Sequence, residues 1–407
     1  MSAIAEPMTH AAFDDTLARR NALVLSVAQA LAGGNNTVIV STASIVGAVL
    51  APDKGLATLP ITCMVLGIWF GTLPVGALAR RYGRRPALQT GSLFGVLSGL
   101  ISCSAVIHGQ FWLLLIGTFC GGLYAAAHQS YRFAAADTAS ERFRPKAVSY
   151  VLAGGIFAGV IGPQLVIQTK DLMPQYLFAA SYIGQSVCAL LAAIVLQFVN
   201  IPPLARHHSE RARPLMEILR KPRFIVAAAC GMAAYAMMNM VMTSAPLAMV
   251  GCGHTVTEAT LGIQWHVLAM YAPSFVTGGL IARFGVLRIA GLGLALIALT
   301  AGIGMTGVSI AHFWTALILL GIGWNFAFIG ATTMVTECHG SAERNKVQAF
   351  NDFLIFGSVA VGSFSSGQLL AAFGWATINA LVFPTVLLAG ALLFWFSLRE
   401  RARVEAL

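Results

Sequence analysis

The chain has 407 residues, of which 57% are hydrophobic and only 10% are Asp, Glu, Lys or Arg, against roughly 25% charged in a soluble globular protein. Its mean hydropathy of +0.78 excludes a large soluble domain, and the net charge of +10 sits in short clusters between apolar runs, which suits membrane loops rather than nucleic-acid binding. No Gly-rich phosphate loop with its Lys and no His-Glu-x-x-His is present, so the chain does not read as an enzyme or an ATP-driven pump.

In chain order, apolar runs long enough to cross a bilayer, roughly 20 residues each, fall near 22–50, 57–79, 87–107, 111–136, 146–168 and 175–199. After a polar stretch come 223–250, 259–282, 286–308, 312–336, 347–373 and 375–397. Runs this long and apolar all round predict helices, because a spanning segment must satisfy its own backbone hydrogen bonds. No cleavable leader is evident, since Asp14, Asp15, Arg19 and Arg20 precede the first run. With both termini inside, 23 of the 25 Lys and Arg residues fall in cytoplasmic segments, Lys54 and Lys170 being the exceptions. The seven cysteines, an odd number and mostly within apolar runs, do not read as a disulfide framework.

The expected fold is therefore an all-α membrane protein of twelve transmembrane helices in two pseudo-symmetric six-helix bundles, residues 1–200 and 223–407, joined by a cytoplasmic linker at 201–222. The halves echo one another. GALARRYG (76–83) matches GGLIARFG (278–285) at an offset of 202 residues, and Asp137 with Glu141 and Arg142 parallels Glu337 with Glu343 and Arg344. Two halves related this way predict a substrate site near the midplane between them.

These features resemble the major facilitator superfamily along the whole chain. The family's loop pattern Gly-x3-Asp-Arg-x-Gly-Arg-Arg is met by Gly76, Arg81, Gly83, Arg84 and Arg85, but its Asp position holds Arg80. In the family that Asp latches the cytoplasmic gate against the start of the eleventh helix. Here Asp352 lies near that start, so either the latch persists with exchanged charges, Arg80 or Arg81 pairing with Asp352, or Arg80 only sets topology. His128, Tyr131 and Arg132 on the fourth span, Asp137 after it, and Asp352 are polar residues expected to form a gating or proton-coupling network. Asn35 and Asn36 either line the cavity or mark a helix irregularity beside Gly33 and Gly34. The glycine-rich stretch at 153–165 loosely resembles a drug-exporter pattern and is read as helix packing.

Seven of the 14 methionines lie between Met232 and Met270. Met238 and Met242 share a helix face, as do His266 and Met270. The two pairs sit at matched depth, Met242 and His266 each eight residues from the loop 251–258 and so roughly 12 Å down the helix. Thioether and imidazole are soft, uncharged ligands that suit Cu(I); the other reading is packing. Met-x3-Met followed by His-x3-Met resembles the CcoA-type proteobacterial copper importers. That resemblance implies a copper site at Met238, Met242, His266 and Met270, and copper uptake for cytochrome oxidase assembly across the bacterial inner membrane. Cys252 and His254 in the loop above, and Cys230 below, are candidate relay residues. Copper is thus expected as transported substrate, with no prosthetic group. Membrane lipid and a copper chaperone are the expected partners, nucleic acid is not, and the chain is expected to act as a monomer. The competing expectation is a proton-coupled exporter of small organic compounds, with the methionines lining an adaptable pocket.

Overall fold

The computed structural model describes residues 15–140, 143–201, 213–340 and 343–405. Glu141 and Arg142, and most of the expected linker, lie outside the described residues. Every regular element among the described residues is helical: α1 (Asp15–Leu50), the 3-10 turn η1 (Lys54–Leu56), α2 (Leu59–Tyr82), α3 (Arg84–Ile107), α4 (Phe111–Gln129), α5 (Tyr131–Asp137), α6 (Arg144–Thr169) and α7 (Ala179–Leu196). After the linker follow α8 (Leu215–Leu219), α9 (Pro222–Gly251), α10 (Val256–Tyr271), α11 (Ser274–Phe284), α12 (Val286–Thr306), α13 (Ile310–Thr336), α14 (Arg344–Ala380) and α15 (Val382–Glu405).

Among the described residues, ten helical stretches are long and apolar enough to span a membrane, eleven when the bent pair α10–α11 is taken as one span. Each departure from the sequence expectation has a local cause. The span expected at 259–282 bends by 43° between α10 and α11, where Pro273 cannot donate a backbone hydrogen bond. The span expected at 111–136 is interrupted at Ser130, which separates α4 from α5. The longest stretch, Lys346–Ala402, runs 57 residues but is broken at Gly374. There φ is 77° and ψ −178°, a conformation that only glycine adopts without strain. The spans expected at 347–373 and 375–397 abut at this residue. Large apolar side chains such as Leu73, Trp112, Phe157, Leu387, Leu388 and Phe394 point outward, as a lipid-facing surface requires and an aqueous one would not tolerate in such number.

By contact the helices sort into two sets. In the first, α1 packs on α6, α2 and α3 on α4, and α3 on α7; in the second, α9 packs on α14, α10 and α12 on α13, and α12 on α15. The same pairings recur in the same order. The sets meet through α6 on α10, α2 on α14 and α1 on α9. At the η1 end of this seam, Thr58 Oγ1 donates to the Ser363 carbonyl and Thr62 Oγ1 to Ser363 Oγ, both at 3.2 Å. Gln164 Nε2 donates to Gln264 Oε1 at 2.8 Å across α6 and α10.

Many of the basic and acidic residues of the other face are paired. Arg84 meets Asp137 at 2.8 Å, Arg85 donates to Gln197, Asp15 accepts from Ser140, and Arg223 bridges Glu337 and Glu400. Glu343, capping α14, accepts from the Arg213 side chain at 2.9 and 3.0 Å and from the backbone N–H groups of Arg213 and Gly340. These donors, the guanidinium first, hold its carboxyl below the usual carboxylate range. A lowered folded-state value means the contact stabilises above the unfolded value, about 4.3, and is lost as pH falls through the folded one. Wild type should therefore keep a constant advantage in Tm over Glu343→Gln from about pH 8 to about pH 5, shrinking below about pH 4. Paired thermal melts across that range would check it.

Candidate functional site

The two helix sets enclose a cavity with about 1400 Å³ free of protein atoms, part of it continuous with outside water. α1 contributes Gln29, Gly33, Asn36, Thr37 and Val40; α2 adds Met64, Val65 and Ile68; α4 and α5 add Ala125, His128, Gln129 and Arg132. From the second set come Tyr235, Met238, Asn239 and Met242 of α9, Val267, Met270 and Tyr271 of α10, Trp324 and Phe328 of α13, and Asp352, Phe356 and Val359 of α14.

One wall is aromatic. Trp324 and Phe328, four apart on α13 and so on one face, stack at 5.0 Å with 11° between their planes. Tyr235 stands on edge to both, at 5.3 and 5.2 Å, and lies 5.8 Å from Phe356. The first helix set contributes the amides of Gln29, Asn36 and Gln129 with the His128 imidazole. Among the described residues, the charged side chains that line the cavity are Arg132 and Asp352. Such a mixture of aromatic faces, thioethers and a few uncharged polar groups is what an organic, partly aromatic ligand uses.

Of the four residues expected to bind metal, three are on the cavity lining and one is not. Met238, Met242 and Met270 line the cavity. His266 is fully buried, with Nδ1 at 2.8 Å from the Leu317 carbonyl. A carbonyl only accepts, so Nδ1 carries the proton and Nε2 keeps a lone pair without a partner. His266 is thus not a lining residue of the cavity. Behind Met270, Asn325 donates to its carbonyl at 2.7 Å and to Ser274 Oγ at 2.7 Å, while Thr277 donates to Asn325. This network supplies a partner that the break at Pro273 removes from the helix.

The expected relay residues stand apart. Cys230 is buried with Sγ toward the Ala389 carbonyl. Cys252 is exposed 22 residues further along, roughly 33 Å at the helical rise. His254 contacts the Val308 carbonyl at 2.7 Å and the Phe313 ring. Among the described residues, no group of three or more His, Cys, Asp and Glu side chains is gathered.

The gating residues divide as well. Arg80 and Arg81 are exposed at the end of α2, Arg81 lying over the Tyr82 ring. Neither forms an ion pair with Asp352 among the described residues. Arg84 and Asp137 pair with each other, Arg85 donates to Gln197, and His128 and Arg132 reach the cavity. Asn36 lines the cavity, whereas Asn35 turns away to the Gln185 carbonyl, and α1 runs unbroken through both. In the glycine-rich stretch, Gly154 and Gly162 abut α1 while Gly155 and Gly159 abut α10, close packing in both directions. Sequence reasoning missed Tyr235, Trp324, Phe328 and Phe356. An aromatic residue in an apolar span gives no sign of whether it faces lipid or cavity; only the four-residue spacing of Trp324 and Phe328 hinted at a shared face.

Residues 25–272 match the family model of the Major Facilitator Superfamily. The chain belongs to this superfamily. It is 50% identical over 378 residues to the riboflavin transporter RfnT of Brucella anthropi, covering 92% of this chain and 95% of that protein. It is 30% identical to the uncharacterized MFS-type transporter YdeG of Bacillus subtilis, covering 89% of each chain. Among solved structures, a D-xylose–proton symporter superposes with a TM-score of 0.73 at 14% identity, over 92% of this chain and 96% of that one. A variant of the nucleoside transporter NupG gives 0.67 at 15% identity, over 94% and 99%. The protein is thus a membrane transporter of this superfamily and not an enzyme. The expectation of copper finds no support here, nor do a CcoA-type identity or a part in cytochrome oxidase assembly: the relative at 50% identity is named a riboflavin transporter.

Proposed function

We propose that the chain is a secondary transporter of a neutral, planar heteroaromatic solute of the flavin class. The observation that carries the reading is the aromatic cluster of Tyr235, Trp324, Phe328 and Phe356 lining one cavity with uncharged amides and an imidazole. Such a wall stacks a fused ring system, and the amides suit its carbonyl and N–H groups as well as the hydroxyls of a polyol chain. The kinship with a riboflavin transporter points to the same cargo. In this reading twelve spans form two halves, with the chain ends and the basic loops on the cytoplasmic side of a bacterial inner membrane. Transport proceeds by rocking of one half against the other around the central site. The polar contacts of Ser363 and Gln264 close the η1 side, and Arg132 and Asp352 supply an ionisable pair for coupling to protons. The transporter acts as a monomer and holds no resident cofactor.

Copper is the cargo that this reading displaces. The test is uptake of radiolabelled riboflavin by vesicles reconstituted with the chain, beside a Cu(I) arm and a His266→Ala variant. Riboflavin accumulation above empty vesicles, with Cu(I) at background, is the expected outcome. Copper accumulation lost in His266→Ala, without riboflavin movement, would overturn it.

A further inference from the structure

Three lining side chains carry a buried polar atom with no hydrogen-bond partner: Asn36 Oδ1, His128 Nε2 and Trp324 Nε1. His128 and Trp324 are only 6% and 9% exposed. Two other polar side chains of the cavity are engaged: Thr37 Oγ1 donates to backbone carbonyls, and Asn239 Nδ2 faces Thr243 Oγ1 at 3.4 Å. A buried donor or acceptor without a partner is costly, and the cost is recovered only when a partner arrives.

The chemistry of the three atoms fixes what that partner must offer. The indole N–H of Trp324 can only donate. For His128, Nδ1 lies 3.5 Å from Gln29 Nε2. The amide nitrogen donates there, so Nδ1 accepts, and the ring proton sits on Nε2. His128 Nε2–H is therefore a second donor, and Asn36 Oδ1 is an acceptor. Together they offer the cavity two donors and one acceptor, two of the three from the first helix set and one from the second.

We infer that Asn36, His128 and Trp324 read the imide edge of the substrate, an N–H flanked by two carbonyls, and that this edge sets specificity. The inference rests on the flavin-class reading above and adds which end of the molecule is recognised. Asn36 Oδ1 takes the imide N–H, and the two N–H donors take the flanking carbonyls. Polyol hydroxyls can rotate to donate or accept, so they discriminate poorly; the imide pattern is rigid. Because the donors come from both helix sets, a bound imide ties the sets together, which links recognition to closure.

The test uses the purified full chain and two probes, riboflavin and 3-methylriboflavin, titrated by quenching of flavin fluorescence. Methylation at N3 removes the imide N–H and sets a methyl group against Asn36. A site built around a hydrogen bond rejects an analogue that lacks it, so wild type should prefer riboflavin by at least about tenfold. In Asn36→Ala the preference should fall to under about twofold. Trp324→Phe keeps an aromatic ring but loses the donor, and should weaken both probes about equally while the N3 preference stays. Asn36→Ser, smaller but still an acceptor, should retain part of the preference if Asn36→Ala does not fold. Wild type that binds both probes equally overturns the inference alone, as does full preference in a folded Asn36→Ala. Wild type that binds neither probe overturns the flavin-class reading together with it.

Discussion

Tyr235→Ala should weaken riboflavin binding by about 10- to 100-fold, because stacking of a heteroaromatic ring on an aromatic side chain is worth about 1–3 kcal/mol and each 1.4 kcal/mol is a factor of ten. Tyr235 is the hub of the aromatic wall, touching Trp324, Phe328 and Phe356 at 5.2–5.8 Å. Its removal takes away a stacking surface and leaves the other rings free to reorient. Tyr235→Phe preserves the ring and should stay within about threefold of wild type, since its hydroxyl is not required for stacking. Flavin-fluorescence titration of the three proteins checks this. Equal affinity in Tyr235→Ala would show that the aromatic wall is packing and not recognition.

Gly122→Val should cost about 3 kcal/mol or more of stability, the upper end of what overpacking produces. The crossing of α2 and α4 is built on small residues facing each other. A Cβ on Gly122 would fall inside the Met64 carbonyl oxygen and only 2.8 Å from Gly67 Cα and 2.9 Å from Ile68 N. One turn on, a Cβ at Gly71 would meet Ala126 Cβ at 2.9 Å. The obstructing atoms at Gly122 are backbone, so no rotamer change relieves them, and the two helices must separate. In a membrane, helix association depends on this close approach, because lipid offers no hydrophobic drive between helices. Size-exclusion profiles and thermal melts of Gly122→Ala and Gly122→Val should show graded loss. A wild-type melt for Gly122→Val would contradict the packing account.

Much of the fold was legible because apolar run length and loop charge are strong, additive signals. Apolar spans lie where the hydropathy placed them, and Gly374 falls between the last two expected spans. The breaks at Ser130 and Pro273 were less legible. A proline or serine in a span permits a bend, but whether the helix yields depends on the partner that takes up the freed carbonyl, here Asn325 from 55 residues away for Met270. The latch expected from the loop motif depends on long side chains crossing between helices. Arg80 and Arg81 lie exposed in this conformation, and Asp352 is on the cavity lining, as is Arg132.

The candidate site was half legible. Helical spacing brought Met238, Met242 and Met270 to one place, and the cavity holds all three. Spacing could not tell that the His266 ring turns to Leu317, since residue depth does not fix side-chain direction. The substrate class went astray for a related reason. A compact Met and His pattern is conspicuous in sequence, whereas the aromatic wall is assembled from α9, α13 and α14, its members spread over more than a hundred residues from Tyr235 to Phe356, and resembles ordinary apolar span composition until the helices are packed.

The most direct test of the central claim is an equilibrium titration of the purified wild-type chain with riboflavin, repeated on the same sample in the presence of buffered Cu(I). Saturable quenching of flavin fluorescence that Cu(I) neither prevents nor reverses is the predicted result. Absence of quenching, together with Cu(I) binding that disappears in His266→Ala, would contradict the flavin-class reading and return the site to the metal.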